Sequence, residues 1–273
     1  MTAVLARPAS IIHAGMKVSQ VRVILSEWTK FRSLRSTKIT LLVSLVLTIG
    51  VGALVSAVTA AHWDRLSLGD KASFNPVVTS LDGVLISQLA VGVLGVLLIS
   101  GEYATGMIRA SLTAVPKRLP VLWAKFAVFG GIVGTLSIVS TFVAFFLGQA
   151  LLSGKHLQTT IGGPGALRMV FAAGIYLLLI GVIGMALGGL LRNTAAGISA
   201  LVALFFVIPP ILDLLPSSWS NNIGPYLPSN AGEAFWGRPD GAHLSPWAGF
   251  GVLCGWTAFA IVLAAVRLQR HDA

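Results

Sequence analysis

Charged residues are scarce in this chain of 273 residues: they make up 10% of it, while apolar residues make up 55%. A typical soluble domain carries about 25% charged residues, because its surface has to face water. A surface in contact with lipid does not need them. The composition therefore excludes an ordinary soluble domain and predicts an integral membrane protein.

Cysteine is nearly absent, since Cys254 is the only one. An intrachain disulfide and a cysteine metal site are thereby excluded. The histidines are far apart and show no HxxxH or HExxH spacing; they are His13, His62, His156, His243 and His271. We therefore expect no metal and no cofactor in this chain.

Acidic residues are few, nine against nineteen Lys and Arg, which gives a net charge of +10. Nucleic-acid binding would require a basic face on a soluble fold. The basic residues here lie mostly between long apolar runs instead, a pattern that sets membrane topology. Nucleic acid is therefore not an expected partner.

Six apolar segments are long enough to span a bilayer as helices. They predict an all-α integral membrane fold with one six-helix domain at 39–266. Because 38 residues precede the first segment, we do not interpret it as a cleaved signal peptide. Pro209-Pro210 predicts a kink in the fifth span. The predicted spans are 39–61, 84–100, 126–152, 169–191, 195–215 and 246–266.

The distribution of Lys and Arg predicts the orientation. Fourteen of the nineteen lie in the N-terminal segment, the second and fourth loops and the tail. By the positive-inside rule this side is cytoplasmic, so both termini are expected in the cytoplasm of a plasma-membrane protein. Residues 1–16 are expected to be a flexible N-terminus, and 267–273 a cytoplasmic tail.

Residues 17–38 are too polar to span but have a helical pattern. Val21, Ile24, Trp28 and Phe31 recur at spacings of three and four. The cations Lys17, Arg22, Lys30 and Arg32 stand among and opposite them. We expect a basic amphipathic helix in the membrane surface, in contact with lipid. Two compatible roles remain open: a simple anchor, or an interface that also contacts a cytoplasmic partner.

The cytoplasmic loop at 101–125 contains a second short helical pattern. Thr105–Ala114 can form a helix that Pro116 ends. Met107, Ile108 and Leu112 can share one of its faces, which headgroups or a partner protein must cover.

The longest predicted extracellular loop, 216–245, contains prolines at 216, 225 and 228. A short helix is expected to begin near Ala231, as an extracellular cap or a partly re-entrant element. An ordinary ordered loop is the alternative.

The GxxxG pairs Gly130/Gly134, Gly184/Gly188 and Gly251/Gly255 predict close helix packing within the subunit, with a dimer seam as the alternative.

Catalytic and nucleotide-binding motifs are lacking. The segment 148–156 has the wrong spacing for a P-loop and a histidine in place of its Ser or Thr. No nucleophile with a base and no paired carboxylates appear, so we do not expect an enzyme. Glu102, Lys125 and Arg192 lie at predicted cytoplasmic ends of spans, where long side chains can snorkel. The lack of a mid-membrane charge argues against an ion-coupled carrier.

The order of these parts resembles the membrane subunits of type-2 ABC exporters. The resemblance is carried by Glu27-Trp28-Thr29-Lys30-Phe31-Arg32-Ser33 before the first of six spans, and by Gly101-Glu102-Tyr103-Ala104-Thr105-Gly106-Met107-Ile108-Arg109 between spans two and three. A helical insertion before the sixth span adds to it. The stretch Pro228-Ser229-Asn230-Ala231-Gly232 is similar to one in actinobacterial members.

The resemblance implies an exporter permease made of two membrane subunits, homodimeric or with a paralogue, and two separate ATPase chains that bind the ATP. Residues 102–112 would then form the coupling helix. The implied ATPase-coupling residues are Glu102, Met107, Arg109, Leu112, Trp28, Phe31 and Arg32. An ATP-independent carrier or channel and a membrane-anchoring or assembly protein remain alternatives. The sequence does not indicate the substrate.

Overall fold

The computed structural model describes residues 19–107, 118–237 and 244–270, and all regular secondary structure in them is helical. Six helices are long and apolar enough to cross a membrane. The predicted all-α fold with six spans is therefore confirmed, and the chain is a multi-pass membrane protein. Spans 1 to 6 are Arg35–Arg65, Pro76–Ala104, Leu119–Lys155, Ala166–Leu191, Thr194–Asp213 and Pro246–Arg270.

Several spans extend beyond the predicted apolar runs. Span 1 begins at Arg35 rather than at 39, and span 2 begins at Pro76 rather than at 84. Apolar runs mark the part of a helix that hydrocarbon covers, but the backbone hydrogen bonds continue into polar flanks. At Pro76 the flank is capped by Asn75, whose side-chain oxygen accepts the backbone N–H groups of Val77 and Val78.

Two of the spans contain π-helical turns. In span 1 the turn is Leu47–Val51, and in span 5 it is Ala203–Val207. The turn in span 5 directly precedes the helix Ile208–Asp213, which contains Pro209-Pro210. Proline has no N–H to donate to the preceding turn, so the helix widens where the sequence predicted a kink.

The amphipathic helix forms at Gln20–Ser33 and is shorter than the predicted 17–38. Ser19 caps its start, accepting the Arg22 N–H. At Leu34 the backbone becomes extended, and Arg35 to Lys38 belong to span 1. The helix follows the first turns of span 3: Gln20 donates to the Pro120 carbonyl, and Val23 packs near Val121 and Ala124.

Spans 2 and 4 form the centre of the bundle and pack through glycine. A methyl group at Gly95 would lie 2.1 Å from the Gly181 carbonyl oxygen, and one at Gly184 would lie 2.2 Å from the Gly92 carbonyl oxygen. Only glycine allows backbones to approach so closely. We call the contact of Gly92, Gly95, Gly184 and Gly188 the glycine seam.

The other two GxxxG pairs behave differently. A methyl group at Gly130, Gly251 or Gly255 would meet no described atom within 4 Å, whereas one at Gly134 would touch Leu178. Packing within the subunit is thus observed for Gly184 and Gly188 and for Gly134, but not for Gly130.

The segment before span 6 folds as a helix, Pro228–Trp236, packed against spans 4 and 6. Trp256, about 15 Å along span 6, donates to the Tyr226 carbonyl oxygen at 2.8 Å. Gly232 lies against the ring of Tyr176, and Phe235 stacks on Phe250 near the start of span 6. The segment thus packs beside the first half of span 6, and whether it is an extracellular cap, a partly re-entrant element or an ordinary ordered loop stays a prediction.

Candidate functional site: a buried ion cluster at the basic end

One end of the bundle gathers the amphipathic helix, the last turns of span 2 and the first turns of span 3. We call it the basic end, because Lys30, Arg32, Arg35, Lys38 and Lys125 lie there. The Gln20–Pro120 hydrogen bond fixes the amphipathic helix to span 3. Gly106, with φ of +71°, lies directly after span 2. A position with this left-handed backbone conformation favours glycine, and such a position commonly follows the end of a helix.

Four charged side chains from these three elements meet at the basic end. Lys125 lies between two carboxylates: its Nζ is 2.6 Å from Glu27 Oε2 and 2.5 Å from Glu102 Oε1. Lys30 Nζ is 2.8 Å from Glu27 Oε1 and 3.5 Å from Glu102 Oε1. We call Glu27, Lys30, Glu102 and Lys125 the ion cluster. Its formal charge is zero.

Three members of the ion cluster are almost completely buried. The exposed fractions of the side chains are 3% for Lys125, 6% for Glu27 and 10% for Glu102, against 27% for Lys30. Charges removed from water in this way persist only when they are paired. The mutual pairing therefore connects the three elements to one another.

Lys30 is the member at the edge. Burial disfavours its charge, but the hydrogen bond to Glu27 and the charges of Glu102 and Glu27 outweigh that effect, and the pKa of Lys30 is raised above 10.5. A lysine pKa that is higher in the folded chain than in the unfolded chain stabilises the folded state. The stabilisation is complete at every pH below the pKa of the unfolded chain, and it is lost as the pH rises through the pKa of the folded chain. The ammonium of Lys30 is accordingly charged across the physiological range.

Lys125 corrects one expectation from the sequence. It was placed at a span end where its side chain could snorkel to water, yet it is buried among carboxylates. The reason is that Glu27, 98 residues away, brings a carboxylate to the same point.

Arg192, the other cation expected at a span end, contacts a ring and a backbone carbonyl group. Its guanidinium lies 5.0 Å from the centre of the Tyr103 ring, and its Nη2 is 3.4 Å from the Arg267 carbonyl oxygen.

The ion cluster borders a cavity of about 300 Å³. Of the predicted coupling residues, Glu102, Phe31 and Met107 line this cavity. Trp28 and Arg32 do not: both are exposed on the outer face of the amphipathic helix, where Trp28 continues an apolar row with Val21 and Leu25. Arg109 and Leu112 lie outside the described residues. Glu27, Lys30 and Lys125 join the site although they were not predicted as part of it.

A signal for the ion cluster does exist in the sequence. Residues 1–63 contain one acidic residue, Glu27, and residues 83–212 contain one, Glu102. Both fall on the side with the excess of Lys and Arg. Isolated carboxylates in a basic region need cationic partners when buried, which favours their meeting at a common lysine.

Within 19–107, 118–237 and 244–270, no three His, Cys, Asp or Glu side chains come together as a metal would require. The two carboxylates of the ion cluster are already engaged by ammonium groups. The arrangement joins the three elements through charge pairs. Comparisons with protein-family models and with curated proteins found no match.

Proposed function

We propose that this chain is the permease subunit of an ATP-driven exporter, resembling type-2 ABC exporters. It forms the translocation pathway, and separate ATPase chains that bind ATP drive it from the basic end. In this proposal the basic end faces the cytoplasm and the protein resides in the plasma membrane with both termini inside. A second copy or a paralogue completes the pathway.

The observation that carries the proposal is the position of Lys125. One ammonium group bridges Glu27 on the amphipathic helix and Glu102 at the end of span 2, while itself belonging to span 3. The residues between spans 2 and 3 are those that the resemblance assigns to ATPase contact. A displacement of that segment would act on both spans and on the amphipathic helix together, because the ion cluster connects all three.

The exposed surface near the ion cluster supports a partner at this end. Met107 is 44% exposed and Trp28 is 46% exposed. Apolar side chains at a bundle end need headgroups or protein to cover them. Arg32 lies one turn beyond Trp28 and adds a cation that an acidic partner surface can pair with.

The test is reconstitution with an ATPase subunit encoded beside this chain. The two are expected to co-purify, and the ATPase rate of the complex is expected to exceed that of the ATPase alone. Glu102→Gln should lower the rate of ATP-driven transport several-fold while the two chains still co-purify. Lys155→Gln, at the opposite end of the bundle, is the matched control and should leave transport unchanged.

Two results would contradict the proposal. The first is failure of the chains to co-purify together with intact transport in Met107, Arg109 and Leu112 variants. The second is transport that follows a proton or sodium gradient without ATP. That second result would favour a carrier, for which the π-helical turns in spans 1 and 5 are a specific supporting observation. Absence of any transport would favour the anchoring or assembly role.

A further inference from the structure

The cavity beside the ion cluster has a mainly apolar lining. Its volume of about 300 Å³ is at the lower limit for cavities that hold small molecules. Apolar side chains come from the amphipathic helix, from span 2 and the residues just after it, from span 3, and from the break between the amphipathic helix and span 1. They are Phe31, Leu34, Leu97, Leu98, Met107 and Val128.

The cavity runs from the break before span 1 towards the middle of span 2. Ser33, Leu34 and Ser36, at the break before span 1, are exposed and line one part of it. Leu97 and Leu98, at the other part, lie six to seven residues before the end of span 2 at Ala104. That separation is about 10 Å along a helix, so the cavity extends into the depth of one leaflet.

Lys30 lines the cavity, and the residues next to its entrance in the chain are basic, although Arg32, Arg35 and Lys38 do not line the cavity themselves. Residues 28–63 contain Lys30, Arg32, Arg35 and Lys38 and no acidic residue. Arg35 and Lys38 are exposed on the first turn of span 1. Three of the four carboxylate oxygens of Glu27 and Glu102 accept from lysines within the ion cluster, and the fourth, Glu102 Oε2, is buried. The exposed cations therefore face the surroundings without a competing acid in their own segment.

We propose that this cavity binds part of an acyl chain of an anionic phospholipid, with the headgroup phosphate held at Arg35 and Lys38. An apolar cavity open at the level of the headgroups fits an acyl chain, and a basic entrance selects a negative headgroup over a zwitterionic one. The site adds a bound lipid next to the ion cluster, and it does not depend on the proposed ATPase partner.

Gly101 offers a way to fill the cavity without disturbing the helices. It lines the cavity, and a methyl group placed on it would meet no described atom within 4 Å. Gly101→Leu should therefore occupy the space of the acyl chain, and leucine is a better helix former than glycine. Gly130→Leu is the matched control, because Gly130 is equally unobstructed in span 3 and does not line this cavity.

The experiment uses the full chain in nanodiscs containing phosphatidylglycerol with a photoreactive acyl chain, and mass spectrometry maps the crosslinked peptides. Crosslinks are expected in the peptides around Leu34 and Leu97. Gly101→Leu should reduce them at least tenfold, and Gly130→Leu should not. Arg35→Gln with Lys38→Gln should reduce them roughly tenfold, since each cation near an anionic surface contributes. Arg267→Gln with Arg270→Gln removes the same charge elsewhere and should have no such effect.

Three outcomes would overturn the proposal. Equal labelling of the wild type and of Gly101→Leu would place the lipid elsewhere. Equal labelling by a phosphatidylcholine probe would remove the selectivity for an anion. No labelling of the wild type would mean that something else fills the cavity, residues 108–117 included. The paired Gln variants change only exposed side chains, so the proposal stays testable even if Gly101→Leu does not fold.

Discussion

The basic end and the glycine seam are held together in opposite ways. At the basic end, charged side chains from three elements meet beside a cavity of about 300 Å³. At the glycine seam, two backbones touch with no side chain between them. An ion cluster fixes elements through a few strong contacts and leaves space around them. A seam of glycines holds two helices through many weak contacts and leaves no space between their backbones. The contrast separates a region that depends on charge pairing from one that depends on close backbone packing.

Lys125→Met should produce the largest effect, because it removes the buried cation between Glu27 and Glu102 and leaves them only the partly exposed Lys30. Breaking a buried pair on one side costs about 3–5 kcal/mol. Unfolding of the purified protein by denaturant in detergent measures the loss. The triple variant Lys125→Met, Glu27→Gln, Glu102→Gln should recover most of it. If the triple variant is as unstable as the single one, packing and not charge holds the basic end.

Gly95→Ala should come next, at about 1–3 kcal/mol, because its methyl group would collide with the Gly181 carbonyl oxygen. Gly101→Ala is the control in the same helix and places the same methyl group in open space. The unfolding midpoints of both variants can be compared in one detergent. Equal midpoints would mean that spans 2 and 4 approach less closely than described.

Tyr176→Phe should cost about 1 kcal/mol. The Tyr176 hydroxyl donates to Gln88 Oε1 at 2.5 Å, joining spans 4 and 2 next to the glycine seam. Hydrogen bonds between membrane helices contribute about this much, and the tight seam remains in the variant. Gln88→Leu combined with Tyr176→Phe tests the pair as a double-mutant cycle. A cycle with no coupling energy would show that the hydrogen bond does not contribute.

Lys155→Gln should have the smallest effect, with no measurable change in the unfolding midpoint. Lys155 Nζ is 2.6 Å from Asp64 Oδ2, a distance similar to those in the ion cluster, but both side chains are exposed. Water solvates the separated charges nearly as well as the pair does. A clear loss of stability in Lys155→Gln would indicate that distance, rather than burial, determines the strength of ion pairs in this protein.

The sequence predicts the spans well and their partners poorly. Long apolar runs reveal six helices because hydrocarbon requires them, and Pro209-Pro210 reveals the irregular turn in span 5. The same spacing of glycines does not distinguish Gly184/Gly188, which form a seam, from Gly251/Gly255, where an added methyl group would meet no described atom within 4 Å. That difference depends on which helix lies opposite, and such pairing is a long-range property.

The candidate site shows the same limit. Phe31, Glu102 and Met107 are among the ATPase-coupling residues that the resemblance implies, and they border one cavity, while their contact with an ATPase stays a prediction. Lys125 and Glu27 were missed because each, taken alone, looks like a charge at the edge of a helix. Their contact joins residues 98 positions apart. Only the rarity of acidic residues on the basic side could have indicated it.

The connection between spans 4 and 5 is very short. Only Arg192 and Asn193 separate the two helices, with Arg192 in the left-handed conformation and Asn193 capping span 5 through the Ala196 N–H. This two-residue connection fixes the first turn of span 5 next to the end of span 4. The other end of span 5 leads into the longer segment before span 6. Span 5 is only 17% buried in its most apolar part, so its first helix, Thr194–Val202, which packs against spans 2 and 4, provides most of its attachment to the bundle.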